Sequence, residues 1–178
     1  MEANKELDSA IAYLEAQSPR NMFTLATYQV TYATSLLQSN NLDLAMEKIN
    51  IAIAWGESQI MDTELPKLKA KFMANWYMQR AGIFRWEACD SNYDKQESIN
   101  GGMNDIEKAL SLMDNEDYRE RCMAKMVRAS LHVLSGKKNH ALDDLVSAER
   151  ELSGKKVAAK DFLLNIIESR KQKLSETP

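Results

Sequence analysis

Glycine and proline are scarce in this chain: six glycines and three prolines, Pro19, Pro66 and Pro178, occur in 178 residues. Strands need frequent turns between runs of alternating apolar and polar residues, and no such runs are found, so sheet architectures are excluded and long helices are expected. Cysteine is limited to Cys89 and Cys122, too few for a disulfide framework. Both fall in helical patterns, where a free thiol serves as a small buried hydrophobe. The only histidines, His132 and His140, stand in neither an H-x-x-x-H nor an H-E-x-x-H arrangement, so they are read as surface or groove residues and no metal or cofactor is expected. There is no glycine-rich phosphate loop; Gly101-Gly102 stands alone before a helix, where it suits a tight turn or close packing. No apolar run reaches the roughly 18 residues that span a membrane. The start Met1-Glu2-Ala3-Asn4-Lys5-Glu6 lacks the basic-then-apolar order of a signal peptide. The expectation from these absences is a cytoplasmic protein without catalytic chemistry and without a membrane partner.

What is present suits a single folded domain over residues 1–178. The composition is 44% hydrophobic and 28% charged, ordinary for a globular chain with a buried core. Residues 1–100 hold nine Lys and Arg against thirteen Asp and Glu, and residues 101–178 hold fourteen against thirteen. No basic domain emerges, which argues against nucleic acid as a partner. The tail is locally basic: Lys155, Lys156, Lys160, Arg170, Lys171 and Lys173 face only Asp161 and Glu168 within 155–173. This run, like Asp143, Asp144, Glu149 and Glu151 beside Lys137 and Arg150, is read as a solubilising helix surface.

Apolar spacing and stop signals give eight helices. The first covers 3–17, with Leu7, Ile11 and Leu14 on one face, and stops before Ser18-Pro19. The second runs over 21–38 through Leu25, Tyr28, Tyr32 and Leu36. After the turn Asn40-Asn41 the third covers 42–61 and buries Leu42, Ala45, Met46, Ile49, Ala52 and Ile53. Pro66 suits the first turn of the fourth, where a missing N–H costs nothing. This helix reaches 89 with two stripes, Leu68, Phe72, Trp76 and Ile83 beside Met73, Tyr77 and Phe84. Asp90–Gln96 has no apolar period and is expected to be an exposed loop. A fifth helix over 97–113 leads to the turn Asp114–Asp117, and a sixth over 118–135 ends at Gly136, a favourable C-cap. The seventh covers 139–152, and after Ser153-Gly154 a last helix spans 156–174.

Small residues mark how these helices pair. Ala45 and Ala52 stand seven apart just after a tight polar turn, and Ala141 and Ala148 repeat that arrangement. Two small residues two turns apart let one helix sit close to the helix before it, the mark of stacked helical hairpins. On these residues the chain resembles a tetratricopeptide-repeat protein, whose 34-residue motif has small residues at its eighth, twentieth and twenty-seventh positions and glycine near the fifteenth. Ala33, Ala45 and Ala52 fit one copy, with Asn40 at the glycine position; Ala129, Ala141 and Ala148 fit another, with Gly136 there. In the middle copy Ala81 and Ala109 match if about nine residues are inserted around Asp90–Gln96. The chain departs from the motif at Gln29 and Lys125 in place of tryptophan, at His132 in place of tyrosine, and in having no proline that closes a copy. The resemblance implies hairpins over 21–61, 66–113 and 118–152 stacked as a short right-handed α-solenoid, with the N-terminal helix 3–17 before them and a capping helix 156–174.

It also implies that the first helix of each hairpin lines a concave, ligand-binding face. Read on its own, the second helix carries an uncharged polar stripe, Thr24, Thr27, Thr31, Thr34 and Gln38, opposite its apolar one. Threonine is a mediocre helix former, so a plain solvated face would hold Glu or Lys instead, and a semi-enclosed surface is expected. Asn75, Gln79, Gly82, Arg85 and Trp86 continue the stripe with donors and an aromatic suited to a peptide. On the sixth helix the matching face turns apolar, with Met123, Met126, Val127, Ser130, Val133 and Leu134, and the last helix, presenting Phe162, Leu163, Ile166 and Ile167, is expected to cover it. The function expected is an adaptor, monomeric or weakly dimeric, that holds a protein or peptide through Thr27, Thr31, Thr34, Gln38, Asn75, Gln79, Arg85 and Trp86. The alternative is a sensor domain that takes a small ligand or short signalling peptide in the same groove.

Overall fold

The computed structural model describes residues 2–17, 21–58 and 66–176. Among them are eight helices and no strand: α1 (Glu2–Ala16), α2 (Met22–Gln38), α3 (Leu42–Ser58), α4 (Pro66–Glu87), α5 (Lys95–Leu112), α6 (Tyr118–Leu134), α7 (Lys138–Leu152) and α8 (Lys160–Glu176). The expected stop at Ser18-Pro19 and residues 59–61 of the third helix lie outside the described residues. Each helix packs on the next, most extensively within the hairpins α2/α3, α4/α5 and α6/α7, and α4 also touches both α2 and α6. The architecture is a stack of three hairpins with the first helices side by side. α1 is tied onto it where the Tyr32 hydroxyl donates to Asp8 (2.8 Å) and the Ser35 hydroxyl to Asn4 (2.6 Å).

The hairpins repeat one another in detail. Ala33, Ala81 and Ala129 stand 48 residues apart, as do Ala26, Ala74 and Cys122. The period is therefore 48 residues, where the motif of the resembled family has 34. Within each hairpin both helices carry a small pair seven apart: Ala26/Ala33 with Ala45/Ala52, Ala74/Ala81 with Gly102/Ala109, and Cys122/Ala129 with Ala141/Ala148. All twelve are buried, the alanines and Cys122 at no more than 3% exposure. Backbones thus approach closely without a void, and the remaining volume is filled by Ile49, Ile53, Trp76, Ile83, Ile106, Leu131 and Leu145, each at most 2% exposed. Gly101-Gly102 lies inside α5 and not before a helix; a Cβ at Gly102 would meet Leu131 of the next hairpin at 3.0 Å and Phe84 at 3.3 Å, and one at Gly101 would meet Phe84 at 2.7 Å, so the pair serves close packing.

The turns confirm the equivalence. Asn40 (φ 57°) and Gly136 (φ 74°) both take the left-handed conformation. Asn41 N–H donates to Leu36 O at 2.9 Å and Lys137 N–H to His132 O at 2.8 Å, the same C-terminal closure in the first and third hairpins. The middle hairpin is longer by nine residues, measured from Ala81 to Gly102 against Ala33 to Ala45. One of the nine extends the end of α4, four lengthen the turn and four add a helical turn to the start of α5. Lys95 and Gln96 are therefore helical. Asp94 accepts the N–H of Glu97 at 2.8 Å as the N-cap, and a first turn that projects past the core needs no apolar residue. The turn itself is pinned, because the Tyr93 hydroxyl donates to Asp43 at the start of α3 (2.7 Å).

A polar clasp recurs one residue before each of Ala33, Ala81 and Ala129. Arg80 is bidentate to buried Asp105, both bonds 2.7 Å, and Arg128 is bidentate to buried Asp144 at 2.9 and 2.6 Å. In the first hairpin the same two positions hold Tyr32 and Lys48, whose ammonium sits 5.9 Å from the ring centroid. Asp144 is thus a structural partner and not solubilising charge. Glu151 is likewise engaged, accepting from Arg121 and from Lys125, whose ammonium is buried and also donates to Ser147 at 2.8 Å. Gln29, in the position equivalent to Lys125, is 2% exposed, while Tyr28, expected on the apolar stripe, is 37% exposed.

The last helix starts at Lys160, four residues later than expected, after Ala159 at φ 57°. Its Leu163 and Ile167 join a second apolar cluster with Cys122, Met126, Ala148 and Leu152, backed by Met123 and Ile166. Phe162 points the other way and is 65% exposed. The cap is real on the Met126 side and incomplete at Val133, which stays 45% exposed.

Replacing Ala52 or Ala148, both fully buried, by Leu is expected to cost about 1–3 kcal/mol through overpacking, read as a shift in urea midpoint. Exposed Ala16 is expected to tolerate the same change; equal midpoints for all three would contradict the packing. Deleting residues 156–178 is expected to uncover Met126 and Cys122, raise binding of a hydrophobic dye and cause self-association. An unchanged, monomeric truncation would show that α8 contributes no cap.

Candidate functional site

α4 places Asn75, Gln79, Gly82 and Trp86 on one face at three- and four-residue spacing. Shifted by 48 residues, that stripe becomes Met123, Val127, Ser130 and Leu134 on α6 and Thr27, Thr31, Thr34 and Gln38 on α2. The polar face and the apolar face therefore meet along the α4/α6 seam. The threonines behave differently from the expectation. Their hydroxyls donate back to their own helix, Thr27 to Phe23 O, Thr31 to Thr27 O and Thr34 to Val30 O, each at 3.0 Å. Such back-bonding satisfies the hydroxyl locally, which is how threonine is accommodated there without a ligand.

Two cavities open along the seam. The one toward the N-terminal ends of the helices is about 350 Å³ and is bounded by Leu68, Phe72 and Asn75 on α4 and by Met113, Asp117 and Glu120 across from them. Lys71 bridges to Asp117 at 2.6 Å, and this hydrogen bond raises the Lys71 pKa above the ordinary lysine value. Asp117 also accepts the N–H of Asp114 at 2.8 Å. Phe72 belongs to an aromatic cluster, 4.8 Å edge-on from Phe23 and 6.4 Å from Trp76.

The cavity toward the C-terminal ends is about 400 Å³. α4 contributes Arg85 and Trp86, α6 contributes Ser130, Val133 and Leu134, and α8 closes the side with Arg170, Lys173 and Leu174. The Arg85 guanidinium lies 5.3 Å from the Trp86 ring centroid. Arg170 donates through Nη1 to Met126 O at 3.0 Å and to the Ser130 hydroxyl at 3.2 Å. Cys89 lines this cavity and is exposed, so it is not the buried thiol expected from its pattern; it falls in the turn after α4. Cys122 is buried as expected, and burial pushes its thiol up to about 11.

Of the residues singled out in the sequence, the fold brings Arg85 and Trp86 to one cavity and Asn75 to the other, with half-buried Gln79 between them on α4. Thr27, Thr31, Thr34 and Gln38 line neither. Arg170 and Leu174 were missed, because a basic run on a terminal helix reads as solvated surface until the helix is folded back. His132 is not in the groove either. It is wedged between α6 and α7 with Nε2 3.6 Å from Asp144, its ring centroid 5.3 Å from that of His140, and its Nδ1 buried without a hydrogen-bond partner. Among the described residues no group of His, Cys, Asp and Glu could hold a metal, and no helix is long and apolar enough to cross a membrane. No family model, curated protein or solved structure matches the chain.

Burial lowers the His132 pKa, Asp144 opposing it and His140, Arg128 and Lys137 adding to it. The unfolded chain then binds a proton at a higher pH than the folded one. Stability is at its full value above about 6.5, the unperturbed histidine value, and falls as pH drops from there toward the lowered folded value. Urea midpoints at about pH 7.5 and about pH 5.5 are expected to differ less in His132→Gln than in the parent protein. Identical differences would mean that His132 carries none of the pH dependence.

Proposed function

We propose that this chain is a non-enzymatic adaptor of the tetratricopeptide-like kind, acting in the cytoplasm as a monomer or weak dimer, that holds a protein segment along the α4/α6 seam. The observation that carries the reading is the seam itself. Its two cavities are aligned on one face, with the amides Asn75 and Gln79 between an aromatic cluster at one end and Trp86 at the other. Amides at a helix surface pair with the backbone N–H and C=O of an extended segment, and cavities on either side accept its apolar side chains. The rigid stack keeps this surface preorganised, so little ordering free energy is lost on the adaptor's side. The stripe on α2 is left out of the proposed contact, since its threonine hydroxyls are already engaged.

Peptides selected from a random display library on the folded protein provide the test. Trp86→Ala is expected to weaken selected peptides about tenfold or more, Gln79→Ala less, and exposed Glu47→Ala on α3 not at all. Peptides that bind all variants alike would overturn the seam as the partner site. A small molecule retained by the purified protein in native mass spectrometry, with no peptide selected, would favour the sensor reading in place of the adaptor.

A further inference from the structure

The cavity closed by α8 has a charge arrangement that peptide docking does not explain. Arg85 from α4 and Arg170 and Lys173 from α8 line it together with Trp86, Val133, Leu134 and Leu174. No carboxylate lines it. Among the described residues neither arginine has a carboxylate partner: Arg85 only stacks on Trp86, and Arg170 donates to two neutral oxygens. This happens in a chain of net charge −3 in which Arg80, Lys125 and Arg128 are each paired with a carboxylate. A partly buried guanidinium facing a second one is electrostatically unfavourable unless an anion sits between them. Burial lowers the Arg170 pKa, and the Arg85 charge lowers it further.

We infer that this cavity binds a small organic anion with an apolar body, its carboxylate or sulfonate held between Arg85 and Arg170 and its body against Trp86, Val133 and Leu174. The volume, about 400 Å³, falls within the range of small-molecule sites. A planar guanidinium pairs with such oxyanions through two N–H groups, and the apolar lining makes each pair stronger than it would be in water. Because α8 supplies one of the two guanidinium groups, the ligand also fastens the last helix to α4. Arg170 already bonds α6, so the anion would join three helices through one site. The site shares Trp86 and this cavity with the peptide seam proposed above, and the two are told apart by Arg85 and Arg170, which the anion needs, and by Gln79, which only the peptide contacts.

A matched pair of probes tests it on the full chain. 1-Anilinonaphthalene-8-sulfonate is an aromatic anion, and N-phenyl-1-naphthylamine is a neutral fluorophore of nearly the same shape. The anion is expected to bind one site, about tenfold or more weakly in Arg85→Gln and in Arg170→Gln, while the neutral probe changes little. Circular dichroism melting checks that each variant stays folded; Arg85, on α4, does not hold α8, so its variant decides the matter if Arg170→Gln loosens the helix. Cys89 supplies the location. Its alkylation by iodoacetamide, followed by mass, is expected to slow when the anion is saturating in the parent protein, with buried Cys122 unmodified throughout. Equal affinity of both arginine variants for the anion, equal losses for the neutral probe, or unprotected Cys89 would each overturn the inference.

Discussion

Close approach of paired helices is the constraint from which the rest of this structure follows. Twelve small residues, two per helix in α2 through α7, put nothing larger than a thiol at these buried positions. At such short range even one methylene is felt, because a dense interior has no slack to absorb it. Directional contacts can then be made across each crossing. Arg80 reaches Asp105 and Arg128 reaches Asp144 with the Nε and Nη2 edge of the guanidinium, geometry that a wider helix separation would not allow. The clasp adds register to the packing: it fixes which residues face each other, and a buried charge without its partner would penalise any slip.

The same constraint shapes the candidate surface. With the hairpins locked at a 48-residue period, equivalent positions of α2, α4 and α6 fall side by side, and whatever chemistry they carry becomes a contiguous face. On α2 the threonine hydroxyls are taken up by their own helix backbone. On α4 it stays available, as amides and an indole, and on α6 it is apolar. The seam between a polar and an apolar helix is a suitable place for an amphipathic segment, and its ends are left open as cavities.

The terminal helix adds something a simple cap would not need. Leu163 and Ile167 cover the exposed end of the stack, as a solenoid terminus requires. Arg170 and Leu174 go further and complete a cavity wall opposite α4. Burying an arginine on neutral partners is costly for a helix whose only task is to shield methionines. The placement gives one element both the capping contacts and a wall of the cavity.

By itself the sequence determined the all-α class, eight helices within a few residues, the hairpin turns at Asn40 and Gly136, and the alanine pairs of the first and third hairpins. These are local matters, set by apolar period, turn chemistry and residue size over a few turns of helix. It also pointed to Asn75, Arg85 and Trp86. The middle hairpin was harder to read because Gly102 took the place of alanine and nine extra residues were divided among helix, turn and helix, which blurs a repeat but not a fold. Only the tertiary structure decided that the α2 threonines satisfy themselves, that Asp144 is an ion-pair partner, that Cys89 is exposed, and that Arg170 stands across from Arg85. Each of those depends on which helix lies opposite, a long-range fact that a side chain's own neighbours in sequence do not encode.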